Sequence, residues 1–233
     1  MRKVIVLWSA SLFAILTLIS GCNKGFVIQE PPDAITVPDY MLGEPLTLEN
    51  LEAINDNQLQ IIYSPETQQV KEIMGVFSNH SIFNEQDAVI ALGSIRNIMN
   101  ISDFSFSCRL VDERDNSTVY LLDQMYNGIP VMGYGFRVGA HKDGTPLFIS
   151  GAYRNEIDIN IEPIYSAKEC ATVLSLSTFD QIISTELTIY VYSGEEYLCW
   201  KYQVKSKDPI RNKTVFCDSN TRKIIEIISD SVT

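Results

Sequence analysis

The chain has 233 residues, 45% of them hydrophobic, with 18 basic against 29 acidic side chains and a formal net charge of −11. That length supports one large or two small domains, and acidity spread along the chain, not gathered in blocks, reads as a solvated surface. The composition offers no electrostatic footprint for nucleic acid, and an anionic bilayer would repel the chain except through an anchor.

Arg2 and Lys3 precede an apolar stretch over 4–19. Its length of about 16 falls short of the roughly 20 residues a membrane span needs, and it ends in Ile19-Ser20-Gly21-Cys22. This resembles a bacterial lipobox. The resemblance implies a leader over 1–21, lipidation of the Cys22 thiol, and an exported protein anchored to the bacterial cell membrane or envelope by its N-terminal lipid. Residues 22–46 carry Pro31, Pro32, Pro38 and Pro45 with little periodicity, and read as a tether.

The first expected element is a short helix over 48–54, capped by Thr47. "LQIIYS" and "VKEIMGVFS" read as paired strands. Asn84 and Asp87 open an apolar period that predicts a helix over 84–100. Four strands follow, "FSFSCRLVDE", "STVYLLDQMY", "IPVMGYGFRVGAHK" and "TPLFISGAYR", separated by Asp115-Asn116, Asn127-Gly128 and Asp143-Gly144. Such dipeptides suit tight hairpins, so an antiparallel meander is expected. Gly133, Gly135, Gly139 and Gly151 inside it point to bulges or close backbone approach.

Past Pro163 the period changes again. Ser166 with Glu169 forms a capping box ahead of "AKECATVLSL", and a second strand set follows with a turn at Ser193-Gly194. The reading is α+β, in two modules over 47–162 and 163–233, each an antiparallel sheet packed by one or two helices. Besides Cys22 there are four cysteines. Cys199 and Cys217 flank a hairpin and are candidates for a cross-strand disulfide. Cys108 and Cys170 sit at core positions, where a second bridge and two buried thiols both stay open.

"QMYNGIPVMG" followed by "HKDGTPLFISG" carries a resemblance to the propeptide domain of fungalysin and thermolysin-type secreted metalloproteases. The matching positions are Gln124, Gly128, Ile129, Pro130, Val131, Asp143, Gly144 and Gly151. Residues 166–228 are similar to the PepSY module that follows it in such propeptides. The match is sharp over about thirty residues of the chain and elsewhere rests on the order of elements. Departures include Asn220-Thr221 where the family has a turn glycine, and Cys217-Asp218-Ser219 where it has a hydrophobic-Asp-Ala site.

The sequence ends at Thr233 without a His-Glu-x-x-His helix, and its two histidines, His80 and His141, lie in no such motif. A free-standing propeptide is therefore expected, with no catalytic residues, cofactor or metal. Neither a Gly-x-Ser-x-Gly elbow nor a phosphate loop is present. The resemblance implies an anchored lipoprotein that binds an exported peptidase in trans, as inhibitor or folding assistant. Tyr126, Tyr134, Phe136 and Tyr153 are the candidate contacts. The alternative is an envelope ligand-binding or sensing module on the same fold.

Overall fold

The structure is a computed structural model and describes residues 27–56, 58–208 and 212–229. The expected leader and the expected lipidation position, Cys22, lie outside them. Strands follow the period-two segments closely: β1 (Ile35–Thr36), β2 (Gln60–Tyr63), β3 (Val70–Met74), β4 (Ser105–Glu113), β5 (Ser117–Tyr126), β6 (Ile129–His141), β7 (Pro146–Ala152), β8 (Gln181–Tyr192), β9 (Glu195–Lys205), β10 (Lys213–Asp218) and β11 (Ile224–Ser229). β5 and β6 are joined by the expected two-residue turn. Tyr126 faces Ile129, and Asn127 and Gly128 both take positive φ, 49° and 80°, as a type I′ hairpin requires.

The three expected helices form, α1 over the expected residues and α2 and α3 shorter than the sequence suggests. α1 (Leu48–Ile54) is closed by the Thr47 and Asn50 capping box, and α3 (Ala167–Ala171) by Ser166 and Glu169. α2 (Glu85–Gly93) starts at Asn84 but stops well before Asn100. From Ser94 the backbone bonds reach back three residues, to Ala91, Leu92 and Gly93. The Arg96 guanidinium takes the Gly93 carbonyl at 2.9 Å, which the next helical N–H would otherwise use. α3 ends similarly, with Thr172, Val173 and Leu174 bonded three residues back and the Thr172 hydroxyl donating to the Glu169 carbonyl at 2.7 Å. Apolar residues continue beyond both ends, which explains why periodicity alone reads longer helices.

The expected α+β pair of separate modules does not form. Strand makes up 43% of the described residues and helix 12%, and the described strands join in one mixed sheet of eleven. β6 is shared. One edge pairs with β5 except over residues 131–134, while the other pairs antiparallel with β7 and, through Val131 and Met132, parallel with Ile189 and Tyr190 of β8. From there β7, β3 and β2 extend one way, and β8, β9, β10 and β11 the other.

Three apolar clusters follow. The first packs Leu51, Phe77 and α2 against Ile73, Phe106, Leu122, Phe136, Val138 and Ile149. A second lies under α3, around Trp200, Tyr202, Val204, Val215 and Cys217. The third sits at the junction, where Ile129 and Val131 meet Ile189 and Leu198, with Ile157, Ile159 and Ile161 of the connector packed against them. Part of the proline-rich segment is also tied down. Val37 and Leu42 are buried in the first cluster, Ile35 pairs with Phe106, and Ile28 bridges to Thr185. Among the described residues no helix is long and apolar enough to cross a membrane.

At Gly135 (φ 140°) an added Cβ would lie 2.0 Å from the Leu122 carbonyl oxygen, whereas at Gly128 it would meet nothing within 4 Å. Gly135→Ala should therefore cost about 3 kcal/mol or more and Gly128→Ala about 1 kcal/mol. Urea unfolding midpoints measure both, and equal losses would contradict this reading of β6.

Candidate functional site

The β5–β6 register breaks in one place. Met125 faces Pro130 and Asp123 faces Gly135, so Gln124 alone stands opposite residues 131–134. This bulge carries β6 across to β8. Gln124 is buried, and its amide replaces the missing rung. Its Nε2 donates to the Arg154 carbonyl at 2.7 Å, and its Oε1 accepts from the Arg154 N–H at 2.8 Å. The Arg154 guanidinium then donates to Glu196 Oε1 of β9, from Nε at 2.9 Å and Nη2 at 2.8 Å. On the β8 side, the buried Thr188 hydroxyl donates to the Pro130 carbonyl at 2.8 Å. Gln124, Pro130 and Val131 therefore work together at the junction.

Beside the bulge, a groove of about 470 Å³ opens on the sheet. Met132, Gly133, Tyr134 and Gly135 line it from β6. Among the described residues Gly133 and Tyr134 have no partner in any strand register. Arg109 and Asp123 form one wall, with Nε and Oδ2 3.0 Å apart. Arg109 is the extra residue of a bulge in β4, a position that re-aims a side chain away from the ladder. Glu186 and Lys201, opposite each other on β8 and β9, form the other wall, paired at 2.9 Å and mostly shielded from solvent. Arg137, Ser150 and Glu72 continue the lining as one row across β6, β7 and β3. The groove is thus an apolar and backbone floor between charged walls of both signs. Burial, the dominant influence, holds the Asp123 carboxyl above its ordinary value of 3.8 despite the opposing Arg109, and Glu186 adds to the rise.

The other expected site residues are distributed differently. Asp143 and Gly144 form a hairpin turn, where the Thr145 N–H donates to Asp143 Oδ1 at 2.9 Å and holds that carboxyl below its usual range. Gly151 packs against Phe136 and the Gly135 carbonyl. Of the four aromatic candidates, Phe136 is core: it is 3% exposed and its ring lies 5.9 Å from that of Phe106. Tyr153 packs on the same core and its hydroxyl accepts from the Asp103 N–H at 3.1 Å. Tyr126 and Tyr134 are half-buried against the junction cluster, and Tyr134 faces the groove. His80 is 3.2 Å from Asp87, and His141 ends β6. Among the described residues no cluster of three or more His, Cys, Asp or Glu could hold a metal.

The expected Cys199–Cys217 bridge is also corrected. Cys108, Cys170, Cys199 and Cys217 are free thiols, and Cys217 faces Trp200 while Cys199 faces Asp218. That one-residue offset places the two cysteines on opposite faces of the sheet.

Arg109, Asp123, Arg137, Glu186 and Lys201 were not singled out by sequence reasoning. Their only signal is a charge on the polar alternation of a strand, which many solvent-facing positions share.

Two predictions follow from the junction. Gln124→Leu, which leaves both Arg154 backbone groups unpaired, should cost about 2–4 kcal/mol in urea unfolding, and a loss below about 0.5 kcal/mol would contradict the rung. Because the folded Asp123 carboxyl titrates above 3.8, its protonated form favours the folded state. The stability that wild type holds over Asp123→Asn should be greatest below pH 3.8 and decline as pH rises through the elevated folded value. A flat or rising difference would contradict it.

No protein-family model matches the sequence, and no curated protein matches it. Among solved structures, the chain is similar to the Bacillus megaterium YpeB C-terminal domain, with 14% sequence identity and a TM-score of 0.41 over 80% of this chain and 99% of that one.

Proposed function

We propose that this chain is an extracytoplasmic protein-binding module, anchored through a lipid on Cys22, which holds an exported peptidase in trans as an inhibitor or folding assistant. The observation that carries the binding role is the groove beside the β6 bulge. Its floor offers backbone and the side chains of Met132 and Tyr134, and its walls present Arg109, Arg137 and Lys201 together with Glu72, Asp123 and Glu186. Mixed charge around an apolar strip suits an extended polypeptide segment with side chains of both signs.

The peptidase as partner is supported by the propeptide-like motif through Gln124, Pro130 and Val131, residues that shape this groove. A propeptide linked to its enzyme acts at high effective concentration, and a lipid anchor shared with the partner's membrane would restore part of that advantage. The role is non-catalytic in this reading. Four of the groove's charges are engaged with each other in the Arg109–Asp123 and Lys201–Glu186 pairs. The same concave shape also fits a ligand of the envelope, which is the second reading.

The test is capture by the full chain from the envelope and secreted fractions of the source organism, followed by peptidase assay of what is retained. Capture of a peptidase, with dose-dependent inhibition or faster recovery of activity after unfolding, is expected. Arg137→Glu with Met132→Asp, both exposed positions, should weaken that binding roughly tenfold or more without changing the unfolding midpoint. Retention of no peptidase would overturn the peptidase reading, and unchanged affinity in the double variant would overturn the groove.

A further inference from the structure

Below the helix face of the second sheet region, two cysteines distant in sequence come together. Cys170 lies on the inner side of α3 and Cys217 on β10, and both are fully buried in the same apolar cluster. Each sulfur lies 3.9 Å from the same acceptor, the Asp218 carbonyl oxygen. The shared acceptor brings the two thiol groups to one point between α3 and β10. Cys199 is excluded from the arrangement, since it points to the opposite face of the sheet. Cys108 packs against the first cluster, away from α3.

We propose that Cys170 and Cys217 are a redox pair that closes into a disulfide, stapling α3 to β10, while Cys108 and Cys199 stay thiols. Burial raises both thiols, Cys217 to about 12. Both are fully buried in the folded chain, so the exchange runs during folding, while they are open to the oxidant. Cys170 serves as the first attacking sulfur, with Cys217 equivalent. Its thiolate displaces one sulfur of an oxidant disulfide, of the glutathione disulfide or exported dithiol-oxidase class, and forms a mixed disulfide. Cys217 then loses its proton and attacks the Cys170 sulfur, expelling the second oxidant thiolate. Two protein thiols lose two electrons and two protons, and the oxidant disulfide gains them as two thiols.

α3 is only five residues long, and side chains of β9 hold its first residue and the residue before its cap. The Tyr202 hydroxyl donates to the Ala167 carbonyl at 2.7 Å, and the Trp200 indole to the Tyr165 carbonyl at 2.8 Å. A covalent link there would close a loop of about 48 residues, and so restrict the unfolded chain. The first apolar cluster has a nine-residue helix on its sheet, so the staple falls on the side with the shorter helix.

The test is refolding of the full chain from urea in a glutathione and glutathione disulfide buffer, so that Cys108, Cys170, Cys199 and Cys217 are all accessible, followed by alkylation and peptide mapping. One intramolecular Cys170–Cys217 link is expected, with Cys108 and Cys199 alkylated. The oxidised form should unfold roughly 5–10 °C above the reduced form. That gain should vanish in Cys170→Ser and Cys217→Ser and persist in Cys199→Ser. Mapping needs no variant, so poor folding of a substituted chain does not cloud it. A link involving Cys199 or Cys108, or full alkylation at Cys170 and Cys217, would overturn the proposal.

Discussion

The structure depends on one irregularity in one strand. β6 would pair with β5 from end to end if its register were unbroken, and its second edge would then belong to β7 alone. By inserting residues 131–134 opposite Gln124, it gains a short parallel contact with β8. A bulge of this kind leaves a gap in the ladder, and an unpaired buried amide group is expensive. The Gln124 side chain removes that cost by bonding both backbone groups of Arg154. Arg154 in turn reaches Glu196, so one buried glutamine connects the bulge, the segment after β7, and β9. The junction cluster of Ile129, Val131, Ile189 and Leu198 adds apolar burial at the same point.

The groove is a by-product of that solution. Where β6 leaves one neighbour for another, the sheet cannot stay flush, and side chains from β4, β5, β8 and β9 converge on the step. Gly135 leaves space beside Asp123 because any side chain there would strike the Leu122 carbonyl. The charges are arranged as neighbouring ion pairs, not as a single-sign patch. Two of these, Asp123 with Arg109 and Glu186 with Lys201, are partly shielded, and such groups contribute more to choosing a partner than to affinity. The overall negative charge of the chain would disfavour acidic partners at long range.

Much of the local structure was legible in the sequence because it rests on local chemistry. Asn127-Gly128, Asp143-Gly144 and Ser193-Gly194 lie between paired strands as expected, and Thr47, Asn84 and Ser166 each cap a helix. The helix lengths were over-read, since Ile95, Met99 and Leu174 keep an apolar period past the ends of α2 and α3. The continuity of the sheet was not legible. It turns on a two-residue parallel contact between Val131-Met132 and Ile189-Tyr190, residues that no local pattern connects. Gln124 stood out only through the propeptide resemblance, and its role as a backbone substitute required Arg154 to be in place. Cys199 and Cys217 show how sensitive such readings are to register, since a slip of one residue decides which face each thiol occupies.

The most direct test of this account is hydrogen–deuterium exchange of the full chain, alone and bound to a captured partner. Slowed exchange is expected over residues 131–137 of β6 and 186–188 of β8, the two sides of the step, with α1 and α2 unchanged. Protection confined to β11 or to the helix face, with the bulge exchanging as in the free chain, would contradict it.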